Sequence, residues 1–398
     1  MEIRLKHLTS ISNPYPIGDG DHGQIKPEQY LDEGIPYIRV QNLSFSDKID
    51  FEGMVYISQE VNRANAKSIL HPGDILVAKT GATIGKAGVI PESIPIANTT
   101  SSVGKITIDT KRALPKFIYY CIASDPLQMK MWEIASTKSA QPGFNIEDIK
   151  EFKVCLFPLD EQKRIIAFLD KKIFAIDNLI EKENVAIKNL LETKKSLIST
   201  GTSEGEIIKL KYISTLVTGS TPESSKSRYW DGDISWITPA DMIDGKEISS
   251  GQRSITKEGL NSCSTKLIPI NSIVMSTRAP IGTVAITSKE LCFNQGCKAL
   301  IVKKSINPRY VFYSLMANSD SLKNLGKGTT FMELSSSDFA NYKIKIPSVE
   351  KQNEVVAELD NKCLAIDKLI DLKTTKIEKL KEYKKSLIYE CVTGRREI

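Results

Sequence analysis

Basic residues stand beside hydroxyl and amide residues in several polar turns of this 398-residue chain. Lys79 precedes Thr80, Lys138 precedes Ser139, and residues 327–330 read Lys-Gly-Thr-Thr. Ammonium and hydroxyl groups of this kind can hold phosphates, and amide and guanidinium groups can bind the edges of bases. For any single lysine, a solvated loop tip is the alternative. The recurrence of such turns in both halves of the chain favours contact with nucleic acid.

Short motifs that resemble catalytic or cofactor sites fail on spacing or composition. Residues 81–86 place three residues between two glycines where a P-loop has four. Residues 13–15, Asn-Pro-Tyr, lack the second proline of the amino-methyltransferase motif, and no Gly-rich cofactor loop precedes them. Cys292 and Cys297 have no second cysteine pair or clustered histidines to complete a zinc site. We therefore expect the chain to hold no metal or cofactor and to catalyse nothing by itself.

The composition fits an ordinary globular protein of more than one domain. With 41% hydrophobic and 26% charged residues, the chain can bury two modest cores. No apolar run approaches the roughly 20 residues that cross a membrane, and the first residues, MEIRLKHL, lack a signal-peptide core, so we expect a cytoplasmic protein. Seven scattered cysteines suit reduced thiols. The net charge of +6 alone does not identify a nucleic-acid-binding protein.

The chain contains an internal repeat. AFLDKKIFAIDNLI at 167–180 returns as AELDNKCLAIDKLI at 357–370, and Lys-Lys-Ser-Leu-Ile occurs at both 194–198 and 384–388. Upstream of each copy lies a segment that is similar only in outline, with a strand, a polar turn ending in Ile-Gly, a second strand and an Asn-containing turn. A duplicated chain can form a pseudo-twofold molecule, which suits a target that has two halves.

Each repeated segment predicts a long helix with a heptad seam. Its polar interruptions include Glu183 and Lys373, whose charges could fix the register of an antiparallel or staggered helix pair. Such packing is favoured over two solvated helix faces. With Asp160 and Ser348 as expected N-caps, a helix over about 161–198 would be about 55 Å long, enough to separate two units by one DNA turn. The apolar seam residues are Leu169, Ile173, Ile176, Ile180, Ile187 and Leu190 in the first copy and Leu359, Ile366, Ile370, Ile377 and Leu380 in the second.

This alternation of variable units and repeated helices resembles the specificity subunit of type I restriction-modification systems over the whole chain. The second half carries the more specific signals, which are Thr-Gly-Ser-Thr-Pro at 218–222, Trp-Ile-Thr-Pro-Ala-Asp at 236–241, Arg-Ala-Pro-Ile-Gly at 278–282 and Asn-Gln-Gly at 294–296. In the first half, residues 37–42 stand where 236–241 stand, and residues 79–85 replace the Arg-Ala-Pro-Ile-Gly turn. Asn98 roughly answers to Asn294.

The resemblance implies an α+β fold with two target-recognition domains, each with a small, curved mixed sheet, joined by two long antiparallel coiled-coil helices in a pseudo-twofold arrangement. The expected limits are 1–156 and 206–346 for the recognition domains and 157–205 and 347–398 for the helices. Each domain would read one half of a split target in double-stranded DNA, while the helices set the spacing and dock two methyltransferase subunits. Those partners would carry S-adenosylmethionine and methylate adenine at N6. Whether motor subunits that cleave DNA also join the complex is left open.

The polar turns then supply candidate DNA contacts. Candidate base contacts are Arg39, Gln41 and Asn42 in the first domain and Arg278, Asn294 and Gln295 in the second. Candidate phosphate contacts are Lys79, Lys86, Lys138 and Lys327. Thr80, Asn98, Thr221, Thr238, Asp241 and Thr329 complete the candidate set. For the arginines a salt bridge within the domain is an equal alternative, and Trp236 is expected in the core.

Two other classes of function compete with this interpretation. In one, the chain is a coiled-coil scaffold whose variable domains bind proteins, and steep salt dependence of DNA binding would argue against it. In the other, it is a fused methyltransferase or nuclease, which would need a cofactor or metal motif that the sequence lacks. The scaffold is the stronger rival.

Overall fold

The computed structural model describes residues 2–137, 142–278, 280–326 and 333–398. The chain forms two compact units, one of Met1–Glu183 with Thr375–Ile398 and one of Asn184–Thr374. Each unit therefore contains one variable segment together with part of each long helix.

The first unit is built from small sheets covered by helices. Its strands are β1 (Glu2–Arg4), β2 (Ile17–Asp19), β3 (Ile35–Ile38), β4 (Val55–Ile57), β5 (Ile75–Ala78), β6 (Ala87–Val89), β7 (Asn98–Thr99), β8 (Val103–Ile106) and β9 (Lys153–Cys155). Its helices are α1 (Gln59–Ala64), α2 (Pro115–Ala123), α3 (Asp125–Ser136), α4 (Ile146–Glu151) and the first part of α5 (Leu159–Gly201). One sheet has the order β2-β8-β5-β6, another the order β4-β3-β7 with β3 parallel to β7, and β1 pairs with β9.

The second unit repeats this plan. Its strands are β10 (Glu206–Lys209), β11 (Ser214–Thr218), β12 (Trp230–Ile237), β13 (Lys246–Ile248), β14 (Arg253–Ile255), β15 (Ile273–Ser276), β16 (Val284–Thr287), β17 (Cys292–Phe293), β18 (Cys297–Val302) and β19 (Lys343–Ile346). Its helices are α6 (Leu210–Ile213), α7 (Lys257–Asn261), α8 (Pro308–Ala317), α9 (Ser319–Asn324), α10 (Ser336–Asn341) and the first part of α11 (Val349–Val392). The sheets have the orders β11-β18-β15-β16-β13 and β14-β12-β17, with β12 parallel to β17, and β10 pairs with β19.

The central strands of both larger sheets are buried on both faces. Every residue of β5 and of β15 is buried, and these strands consist mainly of apolar residues that suit such positions. Helices α2 and α8 pack on the sheets through Phe117 and Tyr310, which have no exposed surface. The α+β class expected from the sequence is confirmed.

Helices α5 and α11 contain 43 and 44 residues, and α5 extends beyond the predicted range of about 161–198 at both ends. Helix α5 begins at Leu159, so the prediction of Asp160 as its N-cap is wrong. The first carbonyl of the helix belongs to Pro158, which accepts from the backbone N–H of Glu161 at 3.0 Å. The cap predicted at Ser348 is present, since its hydroxyl accepts from the N–H of Lys351 at 3.4 Å.

Within the first unit the two helices run antiparallel. Asp177 binds Lys384 at 2.8 Å, and Glu183 binds Lys376 at 2.7 Å. Residue numbers rise from 177 to 183 along α5, while those of the binding partners on α11 fall from 384 to 376. This order is that of antiparallel helices and not of parallel ones. The charges along the heptad seam left antiparallel and staggered pairing open, whereas the family resemblance implied antiparallel helices. The ion pairs select the antiparallel arrangement.

The second unit shows the same pairing with the repeats exchanged. Lys194 binds Asp367 at 2.6 Å, and a Cβ added to Gly201 would lie 3.3 Å from Leu359. Asp367 is the repeat equivalent of Asp177, and Lys194 is that of Lys384. The same ion pair therefore occurs once in each unit, with its acidic partner taken from a different repeat.

The predicted heptad seam is the buried face of these helices. Leu169, Ile176, Leu359, Ile366 and Ile377 are buried, and Ile173, Ile180, Ile187, Leu190, Ile370 and Leu380 are half-buried. Most of the residues between them are exposed. All seven cysteines are free thiols. Among the described residues no helix is both long and apolar enough to span a membrane.

A carboxylate on each long helix holds the variable segment of its unit. In the first unit Asp170 accepts from the phenol of Tyr120 at 2.5 Å and binds Lys116 at 2.8 Å. In the second, Asp360 accepts from Tyr313 at 2.6 Å and binds Arg309. Burial and the aspartate raise the pKa of each tyrosine, so both phenols stay protonated and donate.

Candidate nucleic-acid interface

In the second unit, loops from four strands meet at one edge. Ser220 donates its N–H to Phe293 O at 3.0 Å, Asn294 donates to Ile237 O at 3.0 Å, and Thr277 donates to Gly296 O at 2.8 Å. These backbone bonds join the loops that follow β11, β12, β15 and β17. We call residues 219–222, 238–241, 277–278 and 294–296 the second loop edge.

The first unit has an equivalent first loop edge, formed by residues 20–23, 39–42, 79–82 and 100–102. Lys79 donates its N–H to Ser102 O at 2.9 Å, as Thr277 does to Gly296. A Cβ at Gly20 would lie 2.1 Å from Thr99 O, and one at Gly219 would lie 2.1 Å from Asn294 O. Only glycine allows this close approach of the loops in either unit.

The motif at 236–241 shapes the second loop edge. The Asp241 carboxylate accepts from the N–H and the hydroxyl of Thr238, both at 2.8 Å, and its other oxygen accepts from Gln252 N–H at 2.8 Å. Both oxygens of Asp241 are thus used inside the loop. Asp241 and Thr238 therefore hold the loop in shape. The side chains that project from the second loop edge belong to the adjoining loops.

Thr221, Asn294 and Gln295 lie together on this edge. The Thr221 hydroxyl donates to Gln295 Oε1 at 2.5 Å, and Asn294 Oδ1 accepts from Gly296 N–H at 2.9 Å. Gln295 is exposed. In the described part of the chain, the amide NH₂ groups of Asn294 and Gln295 donate to no protein group. Both can therefore donate to a base edge.

Arg278 forms a salt bridge within its domain, which was the alternative to a base contact. Its Nε lies 3.1 Å from Glu333 Oε2, and about half of its side chain is exposed. Glu333 also lies 3.5 Å from Lys298, a buried lysine that donates to Leu334 O at 2.7 Å. Burial lowers the pKa of Lys298. Arg278 thus lies on the second loop edge with its Nε–H donor already bound by Glu333.

In the first unit the loop after β3 has the same construction as residues 238–241. The Asn42 side chain accepts from Arg39 N–H at 3.0 Å and donates to Asp50 O at 3.0 Å, and it has no exposed surface. Arg39 Nη2 donates to Gly53 O at 2.8 Å, and its guanidinium lies over the ring of Tyr30. Gln41 is exposed. Arg39 and Gln41 are therefore presented at the edge, whereas Asn42 supports the loop.

The lysines and threonines predicted to contact DNA differ in where the structure places them. Lys79 is 5% exposed and forms an ion pair with Asp19 at 2.5 Å, so its ammonium is not offered to a phosphate in this structure. Thr80 is half-buried beside it. Lys86 is half-buried and makes no ion pair within the described part of the chain. Lys138, Lys327 and Thr329 lie outside the described residues.

The correspondence of Asn98 with Asn294 is wrong. Tyr37 pairs with Asn98 across the parallel strands, just as Trp236 pairs with Cys292. Strand register therefore makes Thr100 the counterpart of Asn294. Asn98 has no exposed surface and donates to Asn62 Oδ1 at 2.7 Å, so it is a polar member of the core.

Sequence reasoning also missed residues that complete these edges. Asp21 accepts from the phenol of Tyr37 at 2.7 Å, and burial and this bond raise the pKa of Tyr37. Trp236, buried as expected, donates to Ser220 O at 3.0 Å and so performs the same task in the second unit. Arg253 lies opposite Trp236 in strand register. No motif surrounds Arg253 in the sequence, and only the pairing of β12 with β14 brings it to Trp236.

A family model described as the type I restriction modification DNA specificity domain matches residues 22–193 and again residues 202–382. These two matches cover most of the chain. The chain therefore belongs to the type I restriction-modification DNA specificity family, as the sequence resemblance predicted.

Similar proteins agree with this assignment. A putative type I restriction enzyme MjaX specificity subunit of Methanocaldococcus jannaschii is 26% identical over 91% of this chain and 87% of its own length. The type I restriction enzyme MjaIX specificity subunit of the same organism is 36% identical, over 42% of this chain and only 40% of its own length.

Solved structures show the same fold. A chain from a structure on complex assembly and conformational transition of the type I R-M system matches with a TM-score of 0.79, 18% identity and coverage of 98% of this chain and 97% of its own. The HsdS subunit from Thermoanaerobacter tengcongensis matches with a TM-score of 0.56, 18% identity and coverage of 99% and 96%.

Proposed function

We propose that this chain is the DNA sequence-specificity subunit of a type I restriction-modification complex. The observation that carries the proposal is that the family model matches twice, once for each unit. Each unit presents a loop edge of the same backbone construction but with different side chains. Such a pair of edges suits two different half-sites of one split double-stranded DNA target. Side chains read the identity of the bases, so different side chains on a similar protein backbone can read different sequences, while contacts to the DNA phosphates fix the protein's position.

The chemistry of the complex belongs to other subunits. Specificity subunits are not themselves catalytic, and the methyltransferase subunits would bind S-adenosylmethionine and methylate an adenine in each half-site. Motor subunits that hydrolyse ATP and cleave DNA are the further partners of the restriction form. This division explains why the sequence shows polar turns and helices without an active-site motif.

Two methyltransferase subunits would dock on equivalent helix surfaces. The heptad seam is packed inside the units, so other side chains must form the docking surface. Phe174 and Leu364 occupy equivalent repeat positions and are 68% and 55% exposed, and Leu179 and Leu369 form a second such pair. Exposed apolar residues at matched positions suit two copies of one partner.

The test is to map N6-methyladenine in the host genome with and without this gene. We expect a split motif with two defined parts to lose its methylation on deletion and to regain it on complementation. An unchanged map in cells that express the methyltransferase partner would contradict the proposal. It would favour the scaffold alternative, in which the variable domains bind proteins, and steep salt dependence of duplex DNA binding by the purified complex would argue against that alternative.

A further inference from the structure

Arg253 is the first residue of β14 and lies beside the second loop edge. Its neighbour Gln252 donates its N–H to Asp241 Oδ1 at 2.8 Å, and Arg253 itself is paired with Trp236 across the strands. The side chain is exposed. Within the described residues no carboxylate or carbonyl binds its guanidinium. Arg278, by contrast, already donates its Nε–H to Glu333.

The guanidinium of Arg253 is nevertheless held in place. Its Cζ lies 3.5 Å from the centroid of the Trp230 ring. Stacking on an aromatic face fixes the plane of a guanidinium while leaving its in-plane N–H donors open. The arginine is therefore oriented in advance and loses less side-chain entropy when it binds a ligand.

The platform under Arg253 is rigid and is attached to the loop edge. Trp230 is 4% exposed, donates its Nε1–H to Glu223 O at 3.3 Å, and meets Trp236 edge to face with ring centroids 5.1 Å apart. Trp236 in turn donates to Ser220 O on the second loop edge. The position of the guanidinium is thus tied to the loops that are proposed to read DNA.

The first unit contains the same arrangement, built from a different strand. Tyr30 follows a 3-10 turn as Trp230 does, and its ring lies 5.7 Å from that of Tyr37, the counterpart of Trp236. Arg39 lies over Tyr30 at 5.5 Å. By strand register Arg39 corresponds to Thr238, and Arg253 corresponds to Val55. Each unit thus places one arginine over an aromatic pair. The two arginines occupy positions in their sheets that are not equivalent.

We propose that Arg253 is a specificity-determining residue that donates two parallel N–H groups of its guanidinium to one base of the second half-site. A guanine, whose O6 and N7 accept two parallel hydrogen bonds, matches this planar fork. The inference rests on the proposed function and names a contact that the sequence did not indicate.

The experiment measures the affinity of the purified complex, formed with its methyltransferase partners, for duplexes carrying each single-base change in the target. Arg253→Ala and Arg253→Lys are compared with Arg228→Ala. Arg228 is a matched control because it is an exposed arginine of the same segment whose Nε is bound by Glu258 at 3.2 Å. Circular dichroism melting shows whether each variant folds.

We expect both Arg253 variants to lose discrimination at one position of the second half-site, on the order of tenfold to a hundredfold. Discrimination in the first half-site and binding by Arg228→Ala should not change. Lysine keeps the charge and loses the fork, so a phosphate contact would survive in Arg253→Lys. Uniformly weaker binding by Arg253→Ala, with lysine restoring it, would overturn the proposal, as would unchanged binding by both variants. Failure of the proposed function is distinct, because the unaltered complex would then show no sequence preference.

Discussion

A buried lysine lies under each loop edge, and the two lysines occupy different sequence positions. Lys298 pairs with Met275 in the sheet, where the first unit pairs Gly104 with Val77. Gly104 has no side chain there, and the space beside it is filled by Ile149, whose Cδ1 would lie 2.6 Å from an added Cβ, and by the Lys79 chain, whose Cδ would lie 3.4 Å away. Both ammonium groups are satisfied internally, Lys79 by Asp19 and Lys298 by Leu334 O. These residues stabilise the base of each edge.

At the residue scale we predict that Lys79→Ala lowers the free energy of unfolding of the first unit by about 3 kcal/mol, because removing one partner leaves a poorly solvated carboxylate on Asp19. The double variant Lys79→Met with Asp19→Asn should recover much of the loss. Urea unfolding measures both effects. Lys86→Ala is the control and should change stability by less than about 0.5 kcal/mol. Equal losses for Lys79→Ala and Lys86→Ala would contradict this structural role.

At the scale of elements, Asp170 and Asp360 attach α2 and α8 to the long helices. They occupy equivalent repeat positions, and the partners Tyr120 and Tyr313 are 4% and 5% exposed. In each unit the carboxylate also receives a basic side chain, Lys116 at 2.8 Å or Arg309 at 3.1 Å. The same attachment has persisted on two variable segments that otherwise share few residues, so it holds each segment on its helix.

We therefore expect Tyr120→Phe and Tyr313→Phe each to lower the free energy of unfolding by about 1.5–3 kcal/mol, since each removes a buried hydrogen bond to a carboxylate. Chemical denaturation followed by tryptophan fluorescence measures both effects, because Trp132 lies in the first unit and Trp230 and Trp236 lie in the second. Tyr383→Phe, which alters an exposed tyrosine of α11, is the control. No loss in either buried variant would show that the attachment rests on apolar packing alone.

The helix pair also gives the second unit a dependence on pH. Burial alone would raise the pKa of Asp367, but hydrogen bonds from Lys194 and Lys246 outweigh it and hold the pKa below its ordinary value. A carboxyl group with a lowered folded pKa stabilises the fold above its unfolded pKa of about 3.9, and this contribution is lost as the pH falls through the folded pKa.

We expect the free energy of unfolding to fall more steeply for the unaltered protein than for Asp367→Asn as the pH drops from about 5 to 3. Near neutral pH, Asp367→Asn should be the less stable of the two. Denaturant titrations at several pH values measure both slopes. Parallel slopes would mean that the two lysines do not set the charge of this carboxyl group.

At the scale of the whole molecule, the continuous helices α5 and α11 suit a role in setting the spacing between half-sites. Removing one heptad from each helix, residues 182–188 and 372–378, preserves both apolar seams and the exposed pairs Phe174/Leu364 and Leu179/Leu369, and shortens each helix by about 10 Å. The recognised spacer should then shorten by about three base pairs while both half-sites stay the same. Mapping of N6-methyladenine in cells that carry the variant gives the new motif. Deletion from α5 alone should abolish methylation, because the seams no longer match. An unchanged spacer in the double deletion would contradict a spacing role.

Much of the element-level organisation followed from sequence alone. The repeat of residues 167–180 at 357–370 identified two equivalent helices, and heptad spacing identified their buried faces, because side-chain periodicity is a local property of the chain. The resemblance of residues 236–241 and 278–282 to known motifs led to the correct family and fold class. The expected limits of the domains follow the repeats, whereas the compact units follow contacts and combine parts of both helices.

Tertiary structure decided which polar side chains face outward. Asn98 and Asn294 look equivalent in sequence, but strand register buries the first against Asn62 and places the second on a loop edge. Lys79 looks like a phosphate contact until Asp19, sixty residues away, supplies its partner. Arg253 has no motif around it, and its position depends on a tryptophan brought close by the pairing of β12 with β14. Contacts between distant residues depend on how strands pair, and no local pattern of residue types contains that information.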